Sequence, residues 1–279
     1  MHKSLMAGAV AVALVGAGGA NAGNIVLTGH DNDFHWNFGA SPGNGGPAGL
    51  GLAAEFSFVR AAAPTPGAKV LIIDTAANSG TLELGNAATS ILGAANVTIK
   101  TPETIVAADF SVGTYSAFAV ASEVGCGGCD LTPAEVALIT AQSAAIGTFL
   151  NAGGGILGLA GAADPLAYAY VPFSAVNPGG TPPSTGYVQT AFGASIPLPA
   201  VNGNPTHNFF SEPGSLGLSS AYGVTERLGS ATTGTPETVA CVGCTTSILA
   251  APEPGSLGLL GSALLGLAAV VRRKRRSAG

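Results

Sequence analysis

The chain has 279 residues, of which only 9% are charged, with 10 Lys and Arg against 15 Asp and Glu. Six of the basic residues lie at the two ends (Lys3 and the group from Arg272 to Arg276), so the stretch from Gly23 to Ala251 holds four, against 14 acids: a net charge of 4 − 14 = −10. A domain this acidic, with scattered Arg60, Lys69, Lys100 and Arg227, has no electrostatic footprint for nucleic acid or for adhesion to an anionic membrane surface.

The first 22 residues read as an export signal. Met1-His2-Lys3 is a short positive start, Leu5 to Gly19 is apolar and small, and Ala20-Asn21-Ala22 fits an A-x-A cleavage site. The mature chain is expected to begin near Gly23. From there to about residue 165, strand and helix signals alternate. Asn24 to Gly29 is a buried strand candidate, and Ala48 to Ala63 a helix that stops at Pro64. Lys69 to Asp74 is the clearest buried strand, followed by a helix over 82–95 and a short strand over 96–100. Tyr115 to Ser122 reads as another strand. Thr132-Pro133-Ala134-Glu135 is a capping box with proline at the first helical position. The helix it opens is expected to run through Val136, Ile139, Ser143, Ile146 and Leu150 on one face, closing at Gly153-Gly154-Gly155 before a fifth strand over 156–159. Buried apolar strands joined by helices predict an α/β three-layer sandwich with a mainly parallel central sheet over 23–165.

From 166 to 251 the periodicity fades. Proline and glycine recur from Asn177 to Pro205, which predicts long loops or strands outside the main sheet. Ala221 to Leu228 reads as a strand, and 230–246 as a further strand or a spacer. This half is expected to be a loop- and strand-rich extension of the core.

The most unusual polar cluster is His30-Asp31-Asn32-Asp33-Phe34-His35-Trp36, directly after the first strand. In open parallel sheets ligands bind at the carboxyl ends of strands, so the cluster is well placed. Two imidazoles and two carboxylates could hold a divalent metal such as zinc. An Asx-rich turn, with Asp31 or Asp33 capping backbone amides and the histidines exposed, is the plainer alternative. His207 is the other histidine of the mature domain and is expected to approach the cluster. Glu123, Asp74 and Asp164 end other strands and could face the same crevice. The four cysteines form two C-x-x-C pairs, Cys126/Cys129 and Cys241/Cys244. In an exported chain they are expected to be disulfides rather than a zinc ribbon, with three connectivities open.

The tail reads Pro252-Glu253-Pro254, an uncharged run over 255–271, then Arg272-Arg273-Lys274-Arg275-Arg276. As a helix the run would span about 26 Å, near the lower limit for crossing a bilayer, with the basic cluster as its cytoplasmic stop. These three ordered features resemble the PEP-CTERM sorting signal of Gram-negative bacteria. The resemblance implies export, transient anchoring in the inner membrane with a periplasmic domain, and cleavage near the box by an exosortase-type protease. It also implies release or attachment at the cell surface together with extracellular polysaccharide. It carries an address and no activity.

The body has its own likeness. Tyr115 to Glu123, the capped helix and Phe149-Leu-Asn-Ala-Gly-Gly-Gly-Ile-Leu-Gly-Leu159 together resemble the class I glutamine amidotransferase-like fold. Such proteins carry a nucleophile on the elbow after this strand, whereas this chain reads Gly158-Leu159-Ala160-Gly161. The likeness therefore implies the fold without the amidotransferase chemistry. Three function classes remain: a non-catalytic exported protein, a metal-dependent hydrolase using the 30–35 cluster, and a small-ligand-binding module.

Overall fold

A computed structural model describes residues 22–123, 129–162, 164–176, 179–180, 182–203 and 206–246. The export signal, most of the first C-x-x-C loop and the sorting tail fall outside the described residues. Among those described, no helix is long and apolar enough to cross a membrane.

The strands are β1 (Gly23–Thr28), β2 (Lys69–Ile73), β3 (Val97–Lys100), β4 (Tyr115–Val120), β5 (Gly155–Gly158), β6 (Tyr187–Gln189), β7 (Gly223–Leu228) and β8 (Thr235–Cys244). They form one sheet in the order β3-β2-β4-β5-β1-β8-β7-β6. The first five are parallel, and β8, β7 and β6 continue the sheet antiparallel beyond β1. The helices are α1 (Asn32–Phe38), α2 (Pro47–Arg60), α3 (Glu83–Leu92), α4 (Pro133–Thr140), α5 (Ser143–Asn151) and α6 (Ala191–Ser195). The chain crosses toward β3 through α1, α2 and α3, which pack on one another, and back toward β1 through α4 and α5; with the right-handed crossovers that parallel strands require, the two groups fall on opposite faces of the parallel half.

The parallel strands read as near-continuous apolar runs because both faces are covered. Ile25, Val26, Leu27 and Val70 to Ile73 are fully buried, and Phe118, Phe149 and Phe110 meet ring to ring beneath α5.

Three expectations are corrected. Within the 177–205 stretch, β6 joins the main sheet at its edge instead of lying outside it, and 230–246 holds a strand and not a spacer: β8 pairs along the full length of β1, which makes β1 central. The long helix after Thr132 is two helices, parted at Ala141-Gln142. The capping box is present, with Glu135 Oε2 accepting from the Thr132 amide at 2.7 Å. The 32–38 stretch is neither loop nor turn but α1, seven residues long, starting straight off the end of β1.

Candidate functional site

The carboxyl ends of β1, β4 and β5 meet at one edge of the sheet, and the segment after residue 206 folds across them. His207 donates its amide to the Gly29 carbonyl at 2.8 Å, and Thr206 bridges His30. The sequence cluster therefore sits where a ligand crevice belongs, but its side chains part in different directions.

Asp31 is the centre on the outer side. It is 1% exposed, and its Oδ2 lies 3.3 Å from His35 Nε2, one helical turn on, and 3.0 Å from His207 Nε2. Burial opposes ionisation of this carboxyl, but hydrogen bonds from His207 and His35 outweigh it and hold its pKa below the ordinary value. Both imidazoles thus donate Nε2–H to one carboxylate oxygen. In the neutral rings this leaves each Nδ1 as a lone-pair acceptor. The rings are 19% and 25% exposed, so they form the accessible part of the site.

His30 turns the other way. It is fully buried, edge-on to Tyr187, with Nε2 3.0 Å from Glu226 Oε2. Burial disfavours its charge, yet Glu226, then Glu237 and Glu55, overcome that and push it up to about 9. Glu226 is held in turn by Thr238 Oγ1 at 3.0 Å and by the Val201 amide at 2.6 Å. Glu55, which accepts from Asn32 Nδ2, is raised to about 7, mainly by burial. Glu237 lies against Gly29, fully buried, with neither carboxyl oxygen hydrogen-bonded, and burial raises it well above the usual range.

Asp33 faces the end of β4. Its oxygens accept the Ser122 amide at 2.7 Å and the Ser122 hydroxyl at 2.5 Å, and burial raises it to about 6 despite those bonds. Beside it stand Glu83, raised to about 9 by burial and by the charges of Asp33, Asp130 and Asp31, and the hydrogen-bonded pair Asp74 and Asp130. Burial and the hydrogen-bonded Asp130 lift Asp74 well above its ordinary value.

Glu123 is buried and ties β4 to the next strand end, its amide donating to the Ala160 carbonyl at 2.9 Å. Asp164 accepts the Leu166 amide at 2.8 Å and closes a turn. Ala160, at the elbow position, is 1% exposed and offers no nucleophile. Instead Gly161 N–H and the Tyr168 hydroxyl both donate to Asn208 Oδ1, at 2.8 and 3.0 Å.

The expected metal centre was to draw on His30, Asp31, Asp33 and His35 together. The structure gives His30 to Glu226, Asp33 to Ser122, and only Asp31, His35 and His207 to one another. No group of three or more His, Cys, Asp or Glu among the described residues is arranged to hold a metal ion. The plainer alternative holds in part: Asp33 accepts the Ser122 backbone amide and His35 is partly exposed, but His30 is buried and Asp31 makes no side-chain cap to α1.

Glu226, Glu237 and Glu55 escaped sequence reasoning, as did Asn208. The signal was present for the first two: single acids at inward positions of apolar, Thr-rich strands mark a buried polar network.

Cys241 and Cys244 are joined by a disulfide at the end of β8. Cys129 is disulfide-bonded as well, and no described cysteine is free. The cross-pairing that would staple β8 to the 126–129 loop is therefore not used.

Compared with known families, residues 250–276 match the PEP-CTERM protein-sorting motif. No curated protein and no solved structure matches the chain.

Proposed function

We propose that this chain is a non-catalytic exported protein of the envelope or extracellular matrix, sorted by its PEP-CTERM tail and cut by an exosortase-type protease. The observation that carries the reading is the motif over 250–276. An export signal over 1–22 and a membrane helix over 255–271 complete the route. The amidotransferase-like likeness of 23–165 belongs to the same proposal: a sheet of that kind with Ala160 in place of a nucleophile supports a binding role over acyl-transfer chemistry. Intact-mass measurement on material released by the native host tests the processing step. The released form is expected to lack Arg272 to Arg276, and finding them still attached would end the proposal.

A second reading keeps one specific support. Two partly exposed imidazoles share a single buried carboxylate, which suits them to accept hydrogen bonds from a small polar ligand. A metal-dependent hydrolase would need the same residues as ligands. Metal analysis of the purified domain, beside His35→Ala and His207→Ala variants, separates the two. Stoichiometric metal that disappears in both variants would establish the hydrolase reading.

A further inference from the structure

We infer that, while the tail is inserted, the domain stands on the bilayer on the amino-terminal edge of its parallel sheet. The crevice of Asp31, His35 and His207 then points away from the membrane. The inference rests on the tail acting as a membrane anchor.

Strand direction supplies the first argument. β1 runs from Gly23 toward the crevice, and β8 runs back beside it, so Cys244 is the partner of Gly23. Both ends of the folded domain therefore leave from the edge opposite the crevice. The exit is fixed: Asn151, at the end of α5, donates to the Thr246 carbonyl at 2.9 Å and accepts its amide at 2.7 Å. Gly243 is tied to Asn24 Oδ1 at 3.0 Å, and the Cys241–Cys244 disulfide closes the same corner.

Chain length supplies the second. The apolar run begins at Gly255, nine residues beyond Thr246. Even fully extended, that linker reaches only about 30 Å, and Pro252 and Pro254 stiffen it. The domain cannot turn freely above the surface on so short a tether.

Charge supplies the third. Among the described residues, the segments at the exit edge (61–69, 93–96, 111–114, 152–154, 220–222 and 245–246) contain no Asp or Glu, and they carry the exposed Lys69 beside Arg60 at the end of α2. The acids gather at the far end: Asp31, Asp74, Glu123 and Asp164 follow the carboxyl ends of strands, and Glu226 lies in the half of β7 nearest that end. The body remains acidic after the acids that burial raises are discounted, and an acidic body is repelled by anionic headgroups. A six-residue strand sets the two ends about 20 Å apart, beyond a Debye length of about 8 Å, so this orientation removes most of that repulsion.

The test uses the full chain reconstituted in vesicles of phosphatidylethanolamine and phosphatidylglycerol carrying nitroxide-labelled headgroups. A thiol-reactive fluorophore is placed by Gly67→Cys at the exit edge, where a side chain meets open space, or by Ala76→Cys, exposed just after β2 at the crevice end. Thermal melts before labelling confirm that both variants fold. The label at 67 is expected to be quenched several-fold more than the label at 76. Equal quenching, or stronger quenching at 76, in chains that float with the vesicles would overturn the orientation and leave the anchor standing. Chains that fail to float would remove the anchor, and the orientation with it.

Discussion

At the scale of single residues, the domain is a store of protons. Asp33, Glu55, Glu83, Asp74, Glu237 and His30 all have folded-state values raised above their ordinary ones. A group raised on folding binds protons as the chain folds, so its contribution is present in full below the unfolded value and is lost as pH rises through the folded one. For His30 that window runs from 6.5 to about 9, and the contribution is on the order of 3 kcal/mol. Asp31, held low by its two imidazoles, acts in the opposite sense, but only in strong acid. The melting temperature is therefore expected to fall steadily from pH 5 to pH 9. Glu237→Gln should flatten that slope, because burial raises this acid and the amide keeps its shape without a proton to lose. A variant that loses as much stability at pH 8 as at pH 5 would contradict the raised position of Glu237. Ser122→Ala strips Asp33 of its hydroxyl partner and should cost about 1–3 kcal/mol, by denaturant melts, with the Asp33 titration moving upward.

At the scale of elements, the turns and caps are local chemistry and should respond locally. Thr132 Oγ1 accepts the Glu135 amide at 3.3 Å, and Glu135 returns the bond. Thr132→Ala should cost about 1 kcal/mol, which in a domain of this size lowers the melting temperature by about 2–4 °C. Gly158, in β5, is different in kind. A methyl group there would run into the Tyr170 hydroxyl and Leu27. Gly158→Ala should cost about 1–3 kcal/mol by overpacking, and a neutral result would mean that Tyr170 is free to move.

At the scale of the whole molecule, the sheet is assembled from both ends of the domain. Because β8 lies between β1 and β7, losing the last strand would expose the edge of β1 and the core beneath it. A truncation before Thr235 is expected to be insoluble or proteolysed, which limited proteolysis of the expressed fragment checks. The exported protein is also expected to react with no thiol reagent under denaturing, non-reducing conditions, since Cys129, Cys241 and Cys244 are all disulfide-bonded. Labelling of two or more cysteines per chain would contradict this.

What the sequence determined by itself is what local pattern encodes. Lys69 to Ile73 is legible as a buried parallel strand because both of its faces are apolar, and Thr132 to Glu135 as a helix start because the cap is made within four residues. The tail is legible because a box, an apolar run and a basic cluster must lie in order along the chain. The tertiary structure decided everything that depends on partners far apart in sequence. Whether 230–246 is spacer or strand turned on β1, more than 200 residues earlier, offering it a free edge. The histidines illustrate the point most directly. Spacing put His30, Asp31, Asp33 and His35 within six residues, but successive side chains at the end of a strand and the start of a helix point to different sides. Which of them share a site was settled by where Glu226, Ser122 and His207 arrive. Those arrivals depend on the packing of the whole sheet.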